Sequence, residues 1–256
     1  MIDIHTHMLP AIDDGAETVE EATQMAEVAL RDGVTTVVAT PHSNDLDSLP
    51  PGTLASRLEQ LKSALEARQL NLTVMPGLEN YLSPDLAERW QAGRALTLGE
   101  SPYMLIEFPL FQYPLYTEAV LFELQIKGVM PIIAHPERNE IIQQDIGRLH
   151  KLVERGILSQ VTTASLVGGF GSTARRIAEN LLARNLAHII ATDAHSPFGH
   201  RNPRLSEGIA AASRIIGYDK AMAMVTAIPE AVLAGKPVHA DPHLATPHPS
   251  WAFWRR

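Results

Sequence analysis

The chain has 256 residues, 45% hydrophobic and 20% charged, and without cysteine it can form no disulfide, iron–sulfur cluster or thiolate nucleophile. Its formal net charge of −8 argues against a broad basic surface for nucleic acid. It contains no apolar run of the roughly 18 residues that span a membrane, and its N-terminal segment does not resemble a secretory signal, so we expect a cytoplasmic protein without membrane insertion.

Short apolar runs rich in β-branched residues alternate along the chain with amphipathic segments of helical length. The first helix is predicted by a capping box, Thr18 with Glu21, and extends to about Arg31. The seven predicted strands are Met1–Ile4, Thr35–Ala39, Leu72–Leu78, Tyr103–Phe108, Met130–Ala134, Leu158–Thr162 and Ala187–Thr192. Strands that alternate with helices predict an α/β fold with a parallel sheet, and their continuous apolar character predicts burial on both faces.

No repeat, charge block or low-complexity linker divides residues 1–235, so we expect one domain there. Residues 236–256 differ in composition, because they hold four of the 18 prolines and two of the three tryptophans. We interpret them as an extended C-terminal tail that packs on the domain or on a neighbour. Metal binding by His239, His243 and His248 is the less favoured interpretation.

Side chains that can bind metal follow six of the seven predicted strands. In an α/β barrel the C-terminal strand ends meet at one mouth, where active sites are assembled. The residues are His5, His7, His42, Glu79, Glu107, His135, Asp193 and His195. In His5-x-His7 and Asp193-x-His195 the two side chains of an extended segment point the same way, so both can bind one ion. Any one of these residues alone could be a cap or a packing residue, but their agreement at six strand ends predicts a metal site.

Five imidazoles and three carboxylates are more ligands than one ion takes, which predicts two or three divalent ions with an acid such as Glu107 bridging them. Nitrogen and oxygen ligands without thiolate suit Mn²⁺, Fe²⁺ or Zn²⁺ and disfavour Ca²⁺. Three such ions bring about six positive charges, and the carboxylates cancel about three of them. The predicted pocket therefore attracts anions, and a phosphate monoester is the first candidate.

Two arginines and an acidic pair lie close in sequence to the predicted ligands. Arg138 follows His135 in HPERN, and Arg201 follows His195 in HSPFGHRNPRL. A planar guanidinium suits bidentate binding of phosphate oxygens, although either arginine could instead form a surface salt bridge. In AIDDG, Asp13 and Asp14 either form a turn or are acids near the metals, and we favour a role in the site for Asp14.

The segments that carry these residues resemble a known family. DIHTHMLPAIDDGA, TPHSN, GLE, LIEFP, IAHPERN and TDAH follow one another in this order within residues 1–235. They are similar to the PHP (polymerase and histidinol phosphatase) superfamily. Within it they are most similar to the bacterial metal-dependent tyrosine-protein phosphatases that regulate capsule and exopolysaccharide synthesis.

The resemblance implies a distorted (β/α)7 barrel with a trinuclear site, commonly occupied by manganese, iron or zinc, that hydrolyses phosphotyrosine. It implies that the eight strand-end residues are the metal ligands and that Arg138 and Arg201 bind the phosphate. The expected partner is a phosphotyrosine-containing protein, such as a bacterial tyrosine kinase, and a homo-oligomer is compatible with the sequence. Hydrolysis would use metal-activated water and would need no phosphorylated protein residue.

Two positions depart from the family pattern. Asn139 stands where an aromatic residue usually follows HPER, and Thr162 stands where we expect asparagine. Neither is a ligand, so the departures concern the substrate rather than the metals. The aromatic residues after Glu107 either form a wall for a phosphotyrosine ring or pack against the following helix; they are Phe108, Phe111, Tyr113 and Tyr116.

Three functions compete on the sequence. The first is a protein-tyrosine phosphatase, and the second is a small-molecule phosphatase such as a histidinol-phosphate hydrolase. The third is a non-catalytic metal-binding module that serves as an interaction platform. Ligands at every relevant strand end argue against the third, and the arginine pair with the DDG segment favours the first over the second.

Overall fold

The structure is a computed structural model that describes residues 1–239 and Pro242. The eight strands of this part are β1 (Ile2–Thr6), β2 (Thr36–Ala39), β3 (Thr73–Pro76), β4 (Glu79–Tyr81), β5 (Tyr103–Glu107), β6 (Met130–Ala134), β7 (Leu158–Thr162) and β8 (Ile189–Ala191). Most of the predicted tail, including His243 and His248, lies outside the described residues.

Twelve α-helices surround the strands within the same described residues. They are α1 (Val19–Arg31), α2 (Ser43–Asp47), α3 (Thr53–Ala67), α4 (Leu86–Gln91), α5 (Thr117–Ile126), α6 (Glu140–Gln144), α7 (Gly147–Glu154), α8 (Thr163–Leu166), α9 (Gly171–Ala183), α10 (Leu205–Ile216), α11 (Tyr218–Ala223) and α12 (Ala227–Leu233). Two 3-10 helices, Pro136–Arg138 and Gly199–Arg201, follow β6 and β8. No helix of the described chain is both long and apolar enough to cross a bilayer.

All strand pairs are parallel and lie in chain order, β1 to β3 in one sheet and β4 to β8 in the other. The sheets meet at two seams. At one, Thr6 bridges Ala194, and the Asp193 N–H donates to the His5 carbonyl at 2.9 Å. At the other, His42 bridges Glu79. The seams join the strands into a distorted barrel, and the predicted α/β class with parallel strands is confirmed.

The third predicted strand, Leu72–Leu78, corresponds to β3, which is shorter at both ends and pairs with β2. A further strand that was not predicted, β4, begins directly afterwards at Glu79 and pairs with β5. Gly77 lies at the break, where an added Cβ would approach Cγ1 of Val38 to 2.8 Å. Because the apolar run continues through this bend, its periodicity gave no sign of the change of sheet. β8 is also shorter than the predicted Ala187–Thr192.

Buried side chains pack on both sides of the strands, as the apolar runs predicted. One cluster fills the barrel below its mouth with Ile4, Val38, Leu98, Tyr103, Leu105, Ile132, Ala134, Leu158, Ile189, Ala191 and Val232. A larger cluster lies between the strands and the helices. Thr18 caps α1 as predicted, because the Glu21 N–H donates to Thr18 Oγ1 at 3.1 Å, whereas the Glu21 carboxylate accepts from the Glu17 N–H at 3.0 Å. Because apolar side chains fill the interior of the barrel, the polar side chains converge at its mouth.

Candidate metal centre

The eight predicted ligand residues all lie together at the C-terminal ends of the strands. With Asp14 they form four overlapping groups whose ligand atoms lie within 4.8 Å of one another; these are His7–Asp14–His42–His195, His5–His7–Asp193, His5–Glu79–His135 and His42–Glu79–Glu107. Because the groups share members, the nine side chains make one connected cluster. Six of the nine side chains are at most 5% exposed, whereas Glu107 is 17%, His42 24% and Asp14 63% exposed.

His5 and His7, both contributed by the first strand and the residues after it, are fully buried and held in defined orientations. Nδ1 of His5 lies 3.0 Å from Oε1 of Gln160, and Nδ1 of His7 lies 2.7 Å from Oδ2 of Asp13. An amide or carboxylate oxygen can only accept, so both rings carry a proton on Nδ1. In the neutral rings the free lone pairs are then on Nε2, and these two atoms face each other at 3.1 Å.

Carboxylates surround these two nitrogens. His5 Nε2 and His7 Nε2 each lie 3.4 Å from Oδ1 of Asp193, and they lie 3.4 and 3.5 Å from Oε2 of Glu79. Within the described residues, Oε2 of Glu79 is buried and makes no well-aligned hydrogen bond, although ring nitrogens of His5, His7 and His42 lie 2.9 to 3.5 Å from it. Buried lone pairs and carboxylates that converge in this way are costly without a positive charge among them. The site therefore fits divalent cations, and its nitrogen and oxygen donors suit Mn²⁺, Fe²⁺ or Zn²⁺.

Glu79 lies at the centre of the cluster. Its Oε1 is 2.7 Å from Nε2 of His135, and its Oε2 is 2.9 Å from Nδ1 of His42. Burial alone would raise the pKa of Glu79, but the charge of His5 and the contacts with His135 and His42 hold it well below the usual range. Burial and the nearby Glu79 carboxylate raise the pKa of Glu107 to about 7.

The same carboxylates act on His42. Burial would lower the pKa of this histidine, but Asp14 and Glu79 outweigh that effect and raise it to about 10. His135 shows the opposite shift, since burial and the charge of Arg138 lower its pKa to about 4. The cluster thus contains one imidazole, His135, whose protonation is disfavoured, and another, His42, whose protonation is favoured by nearby carboxylates. Such surroundings are consistent with a set of metal ligands.

Two ligand positions adopt an unusual backbone. His135 has φ 30° and Asp193 has φ 52°, both in the left-handed region that residues other than glycine rarely enter. His135 directly follows β6, and Asp193 lies two residues after the end of β8, where the chain leaves the sheet. Such strain persists only where the surrounding structure enforces it, and it is common at functional sites. Here it turns both side chains into the cluster.

Arg138 and Arg201 both contact Asp193 at the rim of the cluster. Arg138 donates from NH1 to Oδ2 at 2.7 Å, and Arg201 donates from NH2 to Oδ1 at 3.2 Å. NH2 of Arg201 also lies 2.6 Å from Nε2 of His195. Both guanidinium groups remain partly exposed, so they lie between the buried cluster and the solvent.

The two acids of AIDDG have different surroundings. Oδ2 of Asp13 contacts His7 and also accepts the His42 backbone N–H at 3.0 Å, a double contact that the sequence did not indicate. Asp14 is 63% exposed, with Oδ1 3.1 Å from Nε2 of His195, and the contacts with His195 and His42 lower its pKa. Gly15 permits this loop, because a Cβ there would overlap the backbone of His7.

Both departures from the family pattern have local explanations. Thr162 caps α8 by accepting from the Ser165 N–H at 3.2 Å, a role that asparagine fills equally well. Thr162 also donates through its N–H and Oγ1 to the buried carboxylate of Glu137. Asn139 caps α6 and donates to the carbonyl oxygen atoms of Pro109 and Gln112, so it fixes the loop after β5.

Most of the aromatic residues after Glu107 serve packing. Phe108 is buried and meets Tyr113 edge-on, with ring centroids 5.8 Å apart. The Tyr116 hydroxyl donates to the Leu82 carbonyl at 3.4 Å. Phe111 differs from them, since it is 70% exposed. Of the four, Phe111 is therefore the one whose ring is open to a substrate.

Residues 1–234 match the model of the family described as capsular polysaccharide synthesis, CpsB/CapC. The tyrosine-protein phosphatase YwqE of Bacillus subtilis is 40% identical over 197 residues, which cover 77% of this chain and 78% of that protein. The putative tyrosine-protein phosphatase CapC of Staphylococcus aureus is 40% identical over 202 residues, 77% of each chain.

A solved structure agrees with these matches. It comes from crystallographic work on YwqE from Bacillus subtilis and CpsB from Streptococcus pneumoniae, which are described as metal-dependent tyrosine phosphatases. It superposes with a TM-score of 0.89 at 35% identity and covers 95% of this chain and 98% of the other. The likeness therefore extends over nearly the whole of both chains.

Proposed function

Because the chain belongs to the CpsB/CapC family of capsular polysaccharide synthesis, we propose that it is a metal-dependent tyrosine-protein phosphatase. The relatives named as tyrosine-protein phosphatases support this activity over hydrolysis of histidinol phosphate. The observation that carries the proposal is the meeting of nine metal-capable side chains and two arginines at one mouth of the barrel.

We propose that His5, His7, His42, Glu79, Glu107, His135, Asp193 and His195 hold two or three divalent ions, with Mn²⁺ the first candidate and Fe²⁺ or Zn²⁺ the alternatives. When bound, such ions offset phosphoryl charge and lower the pKa of coordinated water. Asp13 and Gln160 fix the tautomers of His7 and His5, so the Nε2 lone pairs stay available. Asp14 adds a further carboxylate beside His195 and His42.

Arg138 and Arg201 would bind the phosphoryl oxygens from the rim. Both already point toward Asp193, so the substrate would meet two guanidinium groups oriented before it arrives. A phenolate is a better leaving group than an alkoxide, which lowers the demand for a proton donor at the bridging oxygen. The residues seen here therefore suffice to bind and orient an aryl phosphate.

The partner we propose is a phosphotyrosine-containing protein, with a bacterial tyrosine kinase of capsule or exopolysaccharide synthesis as the first candidate. We place the reaction in the cytoplasm, where such a kinase would present its phosphorylated segment. The family description supports the link with capsular polysaccharide synthesis.

A side-by-side turnover assay tests the proposal. The metal-loaded protein is given a phosphotyrosyl peptide and histidinol phosphate at matched concentrations, and released phosphate is measured. We expect kcat/KM to favour the peptide. Preference for histidinol phosphate would reject the assignment to protein phosphotyrosine, and no turnover of either substrate would leave a metal-binding interaction module as the function.

A further inference from the structure

Phe170 lies against Arg138 in a segment to which the proposed reaction gives no role. The segment is GGFG, residues 168–171, which leads from the loop after α8 into the first residue of α9. The central carbon of the Arg138 guanidinium lies 4.3 Å from the centroid of the Phe170 ring. A guanidinium at this distance over a ring face is attracted by the negative face of the aromatic quadrupole.

A second ring supports Phe170 from another direction. His200 meets it edge-on, with ring centroids 5.4 Å apart and an interplanar angle of 88°. His200 lies in the 3-10 helix that also contains Arg201. Phe170 is therefore placed between the segment that carries Arg138 and the segment that carries Arg201.

The glycines of this loop make the close approach possible. A Cβ on Gly169 would lie 3.0 Å from Cβ of His200 and 3.2 Å from the carbonyl oxygen of Ala164, closer than nearly all real contacts of this kind. Gly168 and Gly171, on either side, have φ values of 90° and 89°, which glycine adopts without strain. The sequence GGFG thus sets one aromatic ring at a defined place on the rim.

We propose that Phe170 is a positioning residue that fixes the guanidinium plane of Arg138 for binding the phosphoryl group. Asp193 holds Arg138 by one nitrogen, at 2.7 Å, and a single hydrogen bond leaves the group free to turn about it. The ring face removes that freedom, so the fork of donors is oriented before the substrate arrives. This inference rests on the proposed function, in which Arg138 binds phosphoryl oxygens.

A double-mutant cycle tests the coupling between the two residues. Phe170→Leu keeps apolar bulk but removes the ring face, and we expect kcat/KM on a phosphotyrosyl peptide to fall about 10-fold. Phe170→Tyr and Phe170→Trp should retain most of the activity, because they keep a ring face. In an Arg138→Ala background, Phe170→Leu should cause no further loss. An equal loss in both backgrounds would overturn the inference.

Matched controls separate positioning from general damage. Phe122→Leu makes the same change on the outer face of α5, where Phe122 is 59% exposed, and should leave kcat/KM unchanged. Metal content and Tm should be alike in the wild type and both leucine variants. If Phe170→Leu does not fold, Phe170→Met, with a similar volume, takes its place in the cycle.

A spectroscopic measurement needs no turnover. In the Zn²⁺-loaded protein, which is diamagnetic, ring current from Phe170 should shift the side-chain proton resonances of Arg138, assigned with Arg138→Lys. The shift should disappear in Phe170→Leu, and its persistence would contradict the contact. Absence of phosphatase activity in the wild type would reject the proposed function but not this contact. A shift that is lost without any change in kcat/KM would overturn the positioning role alone.

Discussion

The carboxylate of Asp13 lies 2.7 Å from Nδ1 of His7, on the side of the ring away from the metal cluster. A histidine ligand whose other nitrogen donates to a carboxylate is fixed in tautomer and orientation, and its ligating nitrogen becomes more basic. Asp13 also accepts the backbone N–H of His42, so one carboxylate supports two ligand segments.

We therefore predict that Asp13→Asn weakens metal binding by about 10- to 100-fold, the usual scale for such a supporting carboxylate. Competition with a chromogenic chelator measures the affinity. Asp219→Asn on α11 is the control and should bind metal like the wild type. Unchanged affinity in Asp13→Asn would mean that the hydrogen bond to His7 does not support the ligand.

Removal of metal should abolish activity and lower stability. Without a cation, the lone pairs and carboxylates around Glu79 and Asp193 lose the charge that offsets their burial. We expect prolonged chelation to reduce both phosphatase activity and Tm, and Mn²⁺ to restore them. Elemental analysis should give at least two ions per chain after loading, and one ion or none would contradict the shared site.

Loss of either rim arginine should slow the reaction and leave the metal in place. Arg138→Ala and Arg201→Ala should each lower kcat/KM by about 10²- to 10³-fold, as expected when one preorganised donor to the transition state is removed. Lysine should rescue only part of the loss, because it keeps the charge without the planar fork. His5→Ala, by contrast, should lose metal as well as rate. Near-normal kinetics in both arginine variants would show that neither binds the phosphoryl group.

The absence of cysteine predicts hydrolysis without a phosphorylated enzyme. Thiol-alkylating reagents should leave the rate unchanged, because the chain has no thiol to modify. Rapid quenching during turnover of a ³²P-labelled phosphotyrosyl peptide should give no label on the protein. A covalently labelled chain recovered after quenching would disprove direct transfer to water.

His188, directly before β8, should make stability depend on pH. Burial lowers its pKa to about 4, and the Ser159 N–H donates to Nδ1 at 3.1 Å, which requires the unprotonated nitrogen. The unfolded chain binds this proton near pH 6.5, whereas the folded chain binds it only near pH 4. The free energy of unfolding is therefore highest above pH 6.5 and decreases as the pH falls from 6.5 to 4. The shift corresponds to about 3 kcal/mol.

Urea unfolding of the chelated protein between pH 7 and 4 measures this dependence. His188→Gln should flatten the curve relative to the wild type. His150→Gln, on α7 beside Glu154, is the matched control and should keep the wild-type slope. If stability depended on pH in the same way in all three proteins, His188 would bind its proton equally well in the folded and the unfolded chain.

Much of the site could be predicted because parallel strands bring their C-terminal ends together. The alternation of His5 and His7 and the position of Asp193 after an apolar run needed only that rule. The residues that hold the proposed ligands in place could not be predicted from the strand ends. Asp13 and Asp14 are adjacent, and only the loop conformation, with Ala11 at φ 55°, decides which carboxylate reaches His7.

Other features depend on contacts between distant parts of the chain. From the sequence, Gln160 is only a polar residue within an apolar strand. Its contact with His5 joins positions that are 155 residues apart. The end of β3 and the start of β4 lie on either side of Gly77, whose packing against Val38 is not contained in local periodicity. The sequence therefore indicates ligands better than it indicates the residues that hold them.

The seam between β1 and β8 has a consequence for biosynthesis. It joins the first strand of the described residues to the last, through the hydrogen bond from the Asp193 N–H to the His5 carbonyl. During translation, His5 and His7 leave the ribosome early, while the acid that completes their group follows almost 190 residues later. Metal capture by the complete cluster is thus a late event, and a nascent chain that ends before β8 holds only part of the site.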